Sequence, residues 1–120
     1  MVSFETSCDI LESLVEELPQ EILKGLNCGI IMLNEIEYDK NGLIILGQYH
    51  FEPRGLGRYI TIYYGSIKAI YGYSSDKIFA KKIKEVLNHE LTHHLEHLAG
   101  DRTLEKQDEI DKAKYLRGMI

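Results

Sequence analysis

Residues Asn88 to His94 read Asn-His-Glu-Leu-Thr-His-His and contain the spacing H-E-x-x-H, from His89 through Glu90 to His93. On an α-helix, side chains four apart lie on one face, about 6 Å apart along the axis. His89 and His93 can then offer both imidazoles to one metal ion. Glu90 leaves the helix beside the first of them, placed to orient and deprotonate a water on that metal. The metal suited to this donor pair and this chemistry is Zn2+, and the set is that of a zinc hydrolase with Glu90 as general base.

A catalytic zinc usually takes three protein ligands and a water, so a third donor is needed. His97 continues the repeat of four, but its Cα lies about 12 Å along the axis from that of His89. Ligand atoms must all sit within about 2.1 Å of one metal, so His97 is too far along. His94 points about 100° away from His93 and is expected to pack, or to bond to the backbone, as a neutral histidine. The third ligand is therefore sought where the chain can turn back. Gly100 permits a turn and Asp101 follows it at once. Glu105, Asp108 and Glu109 are the fallback donors if a second helix, over about residues 103–116, faces the site.

These residues need a long helix to position them, and the flanking sequence supplies one. Apolar residues recur at Ile78 or Phe79, Ile83, Val86 or Leu87, Leu91, Leu95 and Leu98, close to a 3.6-residue period. No Gly or Pro interrupts from Ser74 to Ala99. Ser74, Ser75 or Asp76 can cap the start, and Gly100 offers a stop. The pattern buries one face and leaves the histidine pair at its edge.

Upstream, Ser3 to Leu18 reads as an amphipathic helix with Ser3 as N-cap and Phe4, Cys8, Leu11, Leu14 or Val15 and Leu18 as its stripe. Pro19 ends it and opens a short helix over Gln20 to Lys24. Gly29 to Leu33 is a short apolar run that reads as a buried strand. Asn41-Gly42 marks a turn before a second apolar run, Leu43 to Leu46, that continues to Phe51. A loop with two glycines and two arginines, Pro53 to Arg58, leads to Tyr59-Ile60-Thr61-Ile62-Tyr63-Tyr64. That alternation is the clearest strand, and Gly65-Ser66 breaks it. Ile67 to Tyr73 reads as a turn or short helical piece. The order of elements predicts an α+β domain over residues 1–120: N-terminal helices, a small mixed β-sheet, a long active-site helix and a C-terminal helix.

Composition narrows the function classes. The chain has 120 residues, 44% apolar and 28% charged, ordinary values for one globular domain. A formal net charge of −5 argues against a nucleic-acid partner, which wants a basic stripe. No apolar run is long enough to span a membrane. Met1 to Asp9 lacks the basic and apolar regions of a secretory signal. The two cysteines, Cys8 and Cys28, form no C-x-x-C pair and are expected as buried free thiols, which fits the reducing cytoplasm.

The chain resembles the small bacterial zincin-like metallopeptidases, compact single-domain proteins of about this length. The resemblance is carried by the Leu18-Pro19 segment, the loop from Phe51 to Arg58 leading into Tyr59 to Tyr64, and above all the run His89-Glu-Leu-Thr-His-His94. Members of that family commonly continue the double histidine into a Phe-Gly turn and an Asp-Asp-Arg-Leu-like stretch. Here Leu95-Glu96 replaces the turn, and the glycine arrives later, in Leu98-Ala99-Gly100-Asp101-Arg102. Aligned on the Asp-Arg pair, Asp101 falls where the family places its acidic third ligand.

The resemblance implies a zincin-like fold and Zn2+-dependent hydrolysis of a peptide or protein substrate, through a metal-bound water activated by Glu90. In zincins an edge strand beside the active-site helix pairs with extended substrate, and Tyr59 to Tyr64 is the candidate here. Oxyanion help is sought from Tyr63, Tyr64, Arg54 or Arg58. The competing expectation is a metal- or peptide-binding module of the same fold with little or no hydrolytic activity, since a chain this short has no second lobe to deepen a cleft.

Overall fold

A computed structural model describes residues 1–100. In chain order these form α1 (Phe4–Glu16), α2 (Gln20–Leu23), β1 (Ile30–Leu33), β2 (Glu37–Tyr38), β3 (Ile44–Ile45), β4 (Gly47–Glu52), β5 (Gly57–Tyr63), α3 (Tyr64–Tyr71) and α4 (Asp76–Gly100). The architecture is α+β, with helices around a small mixed sheet. The C-terminal helix expected over residues 103–116 lies outside the described residues.

The α1 helix starts where its cap dictates: Ser3 Oγ accepts from the Thr6 N–H at 3.1 Å. Leu11 is buried from its stripe, with Phe4, Leu14 and Val15 packed around it. The helix stops at Glu16, two residues before the expected end, and Pro19 caps α2. Cys8 is half-buried and Cys28 exposed. Both are free thiols, so the expectation of burial fails for Cys28.

The sheet has the order β1-β5-β4. β1 runs parallel to β5, pairing Ile30 with Ile60 and Met32 with Ile62. β4 runs antiparallel to β5, pairing Gly47 with Ile62 and His50 with Tyr59. β5 is therefore the central strand. Its period of two sends Ile60 and Ile62, both fully buried, to one face. β2 and β3 form a separate hairpin. Its turn is held by Asp39 Oδ1, which accepts from the N–H groups of Asn41 and Leu43 at 2.8 and 2.9 Å.

The apolar run Leu43 to Phe51 is not one strand. It bends at Leu46, between β3 and β4. β5 ends at Tyr63, ahead of the expected Gly65-Ser66 break, and both of those residues sit inside α3, which begins at Tyr64. A Cβ at Gly65 would lie 2.6–2.7 Å from the backbone of Asn34 and Glu35, so only glycine lets α3 pack there. Ser66 Oγ then accepts from the Glu37 N–H at 2.9 Å and ties the hairpin to α3.

The 25-residue α4 is the backbone of the core. Ser75 caps it, its Oγ accepting from the Ile78 N–H at 3.2 Å. Phe79, Ile83, Leu87, Leu91 and Leu95 are essentially inaccessible and pack with Ile60, Ile62 and Ile67. The sheet face bearing Ile60 and Ile62 thus carries α4 across it.

Candidate metal centre

His89 and His93 project from α4 at the margin of the buried face, and both are exposed. Their rings meet edge to face, with centroids 4.6 Å apart and planes at 90°. The two Nε2 atoms are 3.1 Å apart. At a Zn–N distance of about 2.05 Å, nitrogens this far apart subtend about 98° at one ion, near the tetrahedral angle of about 109°. The distance is hydrogen-bonding in the metal-free fold, and it also matches the spacing of two ligands of one metal. The Nδ1 atom of His93 faces Glu96, whose Oε1 lies 3.9 Å away. That is too long for a hydrogen bond.

Glu90, between the two histidines in the sequence, is buried, only 6% exposed. Burial pushes its carboxyl from the ordinary 4.5 up to about 7, because an ionised carboxylate loses its water there. It does not sit in a closed core. Together with His89 it lines a groove of about 350 Å3 between α4, the end of α3 and the β3–β4 bend. Gly47 makes that approach possible. A Cβ on Gly47 would lie 2.7 Å from Val86 Cγ1 and 3.2 Å from Glu90 Cγ, so β4 can lie against α4 only where a side chain is missing.

The other two histidines of α4 are held elsewhere. His94 is fully buried. Its Nε2–H donates to the Lys24 carbonyl at 2.7 Å, and its Nδ1 accepts from the Tyr49 hydroxyl at 2.9 Å. Those partners fix one neutral tautomer, as the helical geometry led one to expect. His97 Nδ1 accepts from Arg58 Nε at 3.1 Å, and its ring packs on Phe51 at 4.5 Å. It stays out of the metal position.

Two expectations need correction. Tyr59 to Tyr64 cannot be the strand that receives substrate, because β5 is paired on both sides. The edge strands of this sheet are β1 and β4, and β4 lies against α4. Leu46 O accepts from Tyr63 N–H at 2.9 Å, which sets the alternation of the antiparallel ladder. The backbone groups of Gly47 and Phe51 are thereby directed away from β5. The oxyanion candidates fail too, since none of them lines the groove. Tyr63 donates to Gln48 Oε1 at 2.6 Å, and Tyr64 donates to the Val2 carbonyl at 2.6 Å. Arg58 is engaged by His97 and stacks on Phe51 at 4.9 Å, and Arg54 is in an exposed loop. Tyr71 lines the groove instead, and nothing in its local sequence marks it.

Among the described residues, no three His, Cys, Asp or Glu side chains come together as a metal site. Asp101 and the alternatives Glu105, Asp108 and Glu109 lie outside the described residues. Among the described residues, α4 carries His89, Glu90 and His93 within one turn of each other.

No family model matches the chain, and no curated protein matches it. A solved structure does: a conserved hypothetical protein from Thermus thermophilus, with TM-score 0.70 and 33% identity. The match covers 83% of this chain and 100% of that one. With that identity over the relative's full length, this chain belongs to the same family as the Thermus thermophilus protein.

Proposed function

We propose that this protein is a zinc-dependent metallopeptidase of zincin-like fold. One observation carries the reading: two exposed imidazole Nε2 atoms 3.1 Å apart, with a buried carboxylate from the intervening residue lining the adjoining groove. His89 and His93 hold the ion, with Asp101 as the proposed third ligand. Zn2+ bound there supplies Lewis acidity, polarising a carbonyl and making a water more acidic.

The rest is done by the chain. Glu90 takes a proton from the attacking water on its carboxylate. Its dry surroundings stabilise the protonated form, so the proton is retained until the leaving amine accepts it. A carboxyl with a pKa near 7 is matched to that exchange at neutral pH, though a cation beside it draws the value down. The outward-directed backbone groups of Gly47 and Phe51 let an extended peptide add to β4 as a further strand. A module that only bound metal or peptide would gain nothing from keeping Glu90 buried in the groove wall at a cost to stability.

The test is turnover. Zinc-loaded protein is incubated with a fluorogenic peptide library beside Glu90→Gln. Cleavage should fall by at least about 100-fold in the variant, the usual weight of a general base, with zinc content unchanged. Equal cleavage by both proteins would refute the role given to Glu90.

A further inference from the structure

The groove that begins at Glu90 has its own chemistry. Along it, away from the histidines, the walls are Ile45 and Leu46 from the β3–β4 bend, Val86 from α4 and Tyr71 from the end of α3. Lys82 and Glu85 complete the lining, but they offer no free charge. Lys82 Nζ lies 3.0 Å from Glu85 Oε2 and 5.0 Å from the centroid of the Tyr71 ring. The ion pair satisfies itself and leaves a trough of about 350 Å3 with more apolar than polar lining, within the range of small-ligand sites.

The trough is continuous with the candidate centre, because His89 and Glu90 line it as well. It also flanks Gly47, where the edge of β4 can take a peptide backbone. We infer that this trough is a side-chain subsite, and that the substrates are peptides with a large aliphatic or aromatic residue beside the scissile bond. The inference rests on the metallopeptidase reading and adds its substrate class. A charged side chain would lose its water in a trough whose Lys82–Glu85 pair is already closed. A glycine would leave the apolar walls wet. A larger depression of about 450 Å3, lined by Asn34, Tyr64, Lys68 and Tyr73 among others, includes neither histidine nor Glu90 and has no part in this.

Binding tests this without turnover. The full-length chain is loaded with zinc and its metal content measured. Two hydroxamate series are then titrated by calorimetry. N-acetyl amino-acid hydroxamates place the side chain on one side of the metal-binding group, and succinyl hydroxamates place it on the other. Each series carries a hydrogen, isobutyl, benzyl, carboxyethyl or aminobutyl group. In one series the isobutyl and benzyl members should bind at least about tenfold tighter than the hydrogen and charged members.

Ile45→Glu should abolish that preference. Ile45→Thr, a milder change, should narrow the preference if the glutamate variant does not fold. Zinc uptake and hydroxamate binding with no side-chain preference, or with preference for a charged group, would overturn the subsite and leave the peptidase reading standing. A preference that survives both Ile45 variants would overturn it as well. A chain that takes no zinc would overturn both.

Discussion

Glu90 gives the most quantitative handle on the site. It is 6% exposed, and its carboxyl is pushed from 4.5 to about 7 in the metal-free fold. The folded value lies above the unfolded one, so the folded chain holds the proton more tightly. Below about pH 4.5 both states are protonated and the burial is harmless. As pH rises from 4.5 to 7 the unfolded state ionises freely, the folded state resists, and stability is lost. The gap, at 1.36 kcal/mol per pH unit, comes to about 3 kcal/mol once both states are ionised.

Glu90→Gln keeps the shape and cannot ionise, so it should escape this loss. In chelator-treated protein, urea unfolding of wild type and variant should converge near pH 4.5. At pH 8 the variant should be the more stable by about 3 kcal/mol. Saturating zinc should shrink that difference, because a cation near the carboxylate stabilises its charged form. A stability difference that stays flat from pH 4.5 to pH 8 would refute the burial argument.

Three further outcomes follow from the same geometry. Gly47→Ala forces a methyl to 2.7 Å from Val86 Cγ1 and should lower stability by about 1–3 kcal/mol in urea; an unchanged midpoint would show that β4 does not lie so close to α4. His94→Ala should cost about 2–4 kcal/mol by opening a cavity and removing the donor to the Lys24 carbonyl, yet the protein that remains folded should bind zinc with wild-type stoichiometry, since His94 is no ligand. Burial also lowers the pKa of His50, against a weaker opposing pull from Glu52. Charging it therefore penalises the fold as pH drops below its unfolded value. In a Glu90→Gln background, His50→Gln should make the melting temperature less sensitive to acid between pH 8 and pH 5.

The site-bearing helix was legible because everything that defines it is local. The Ser75 cap, the apolar period from Phe79 to Leu98 and the four-residue spacing of His89 and His93 all lie within one stretch of α4. The exclusion of His97 and the neutral role of His94 followed from helical geometry alone. What stayed hidden depends on contacts between distant segments. Ile60 and Ile62 announce a strand but not whether it is central. β5 is central because β1 and β4 both pair with it, so the edges fall to β1 and β4, and β4 is the one that lies against α4. Tyr71 joins the groove only because α3 ends beside α4, and the oxyanion candidates turned out to be bound up elsewhere. Gly65 looked like a strand breaker and proved to be a packing point within α3, a distinction set by Asn34 and Glu35, some 30 residues earlier.

The central claim is that His89 and His93 hold one zinc ion. Its most direct test is the metal content of protein purified without added metal or chelator, wild type beside His93→Ala, each then dialysed against limiting Zn2+. The account predicts close to one zinc per wild-type chain and loss of that zinc in the variant. No zinc in either protein, before or after dialysis, would contradict it, and so would equal zinc in both.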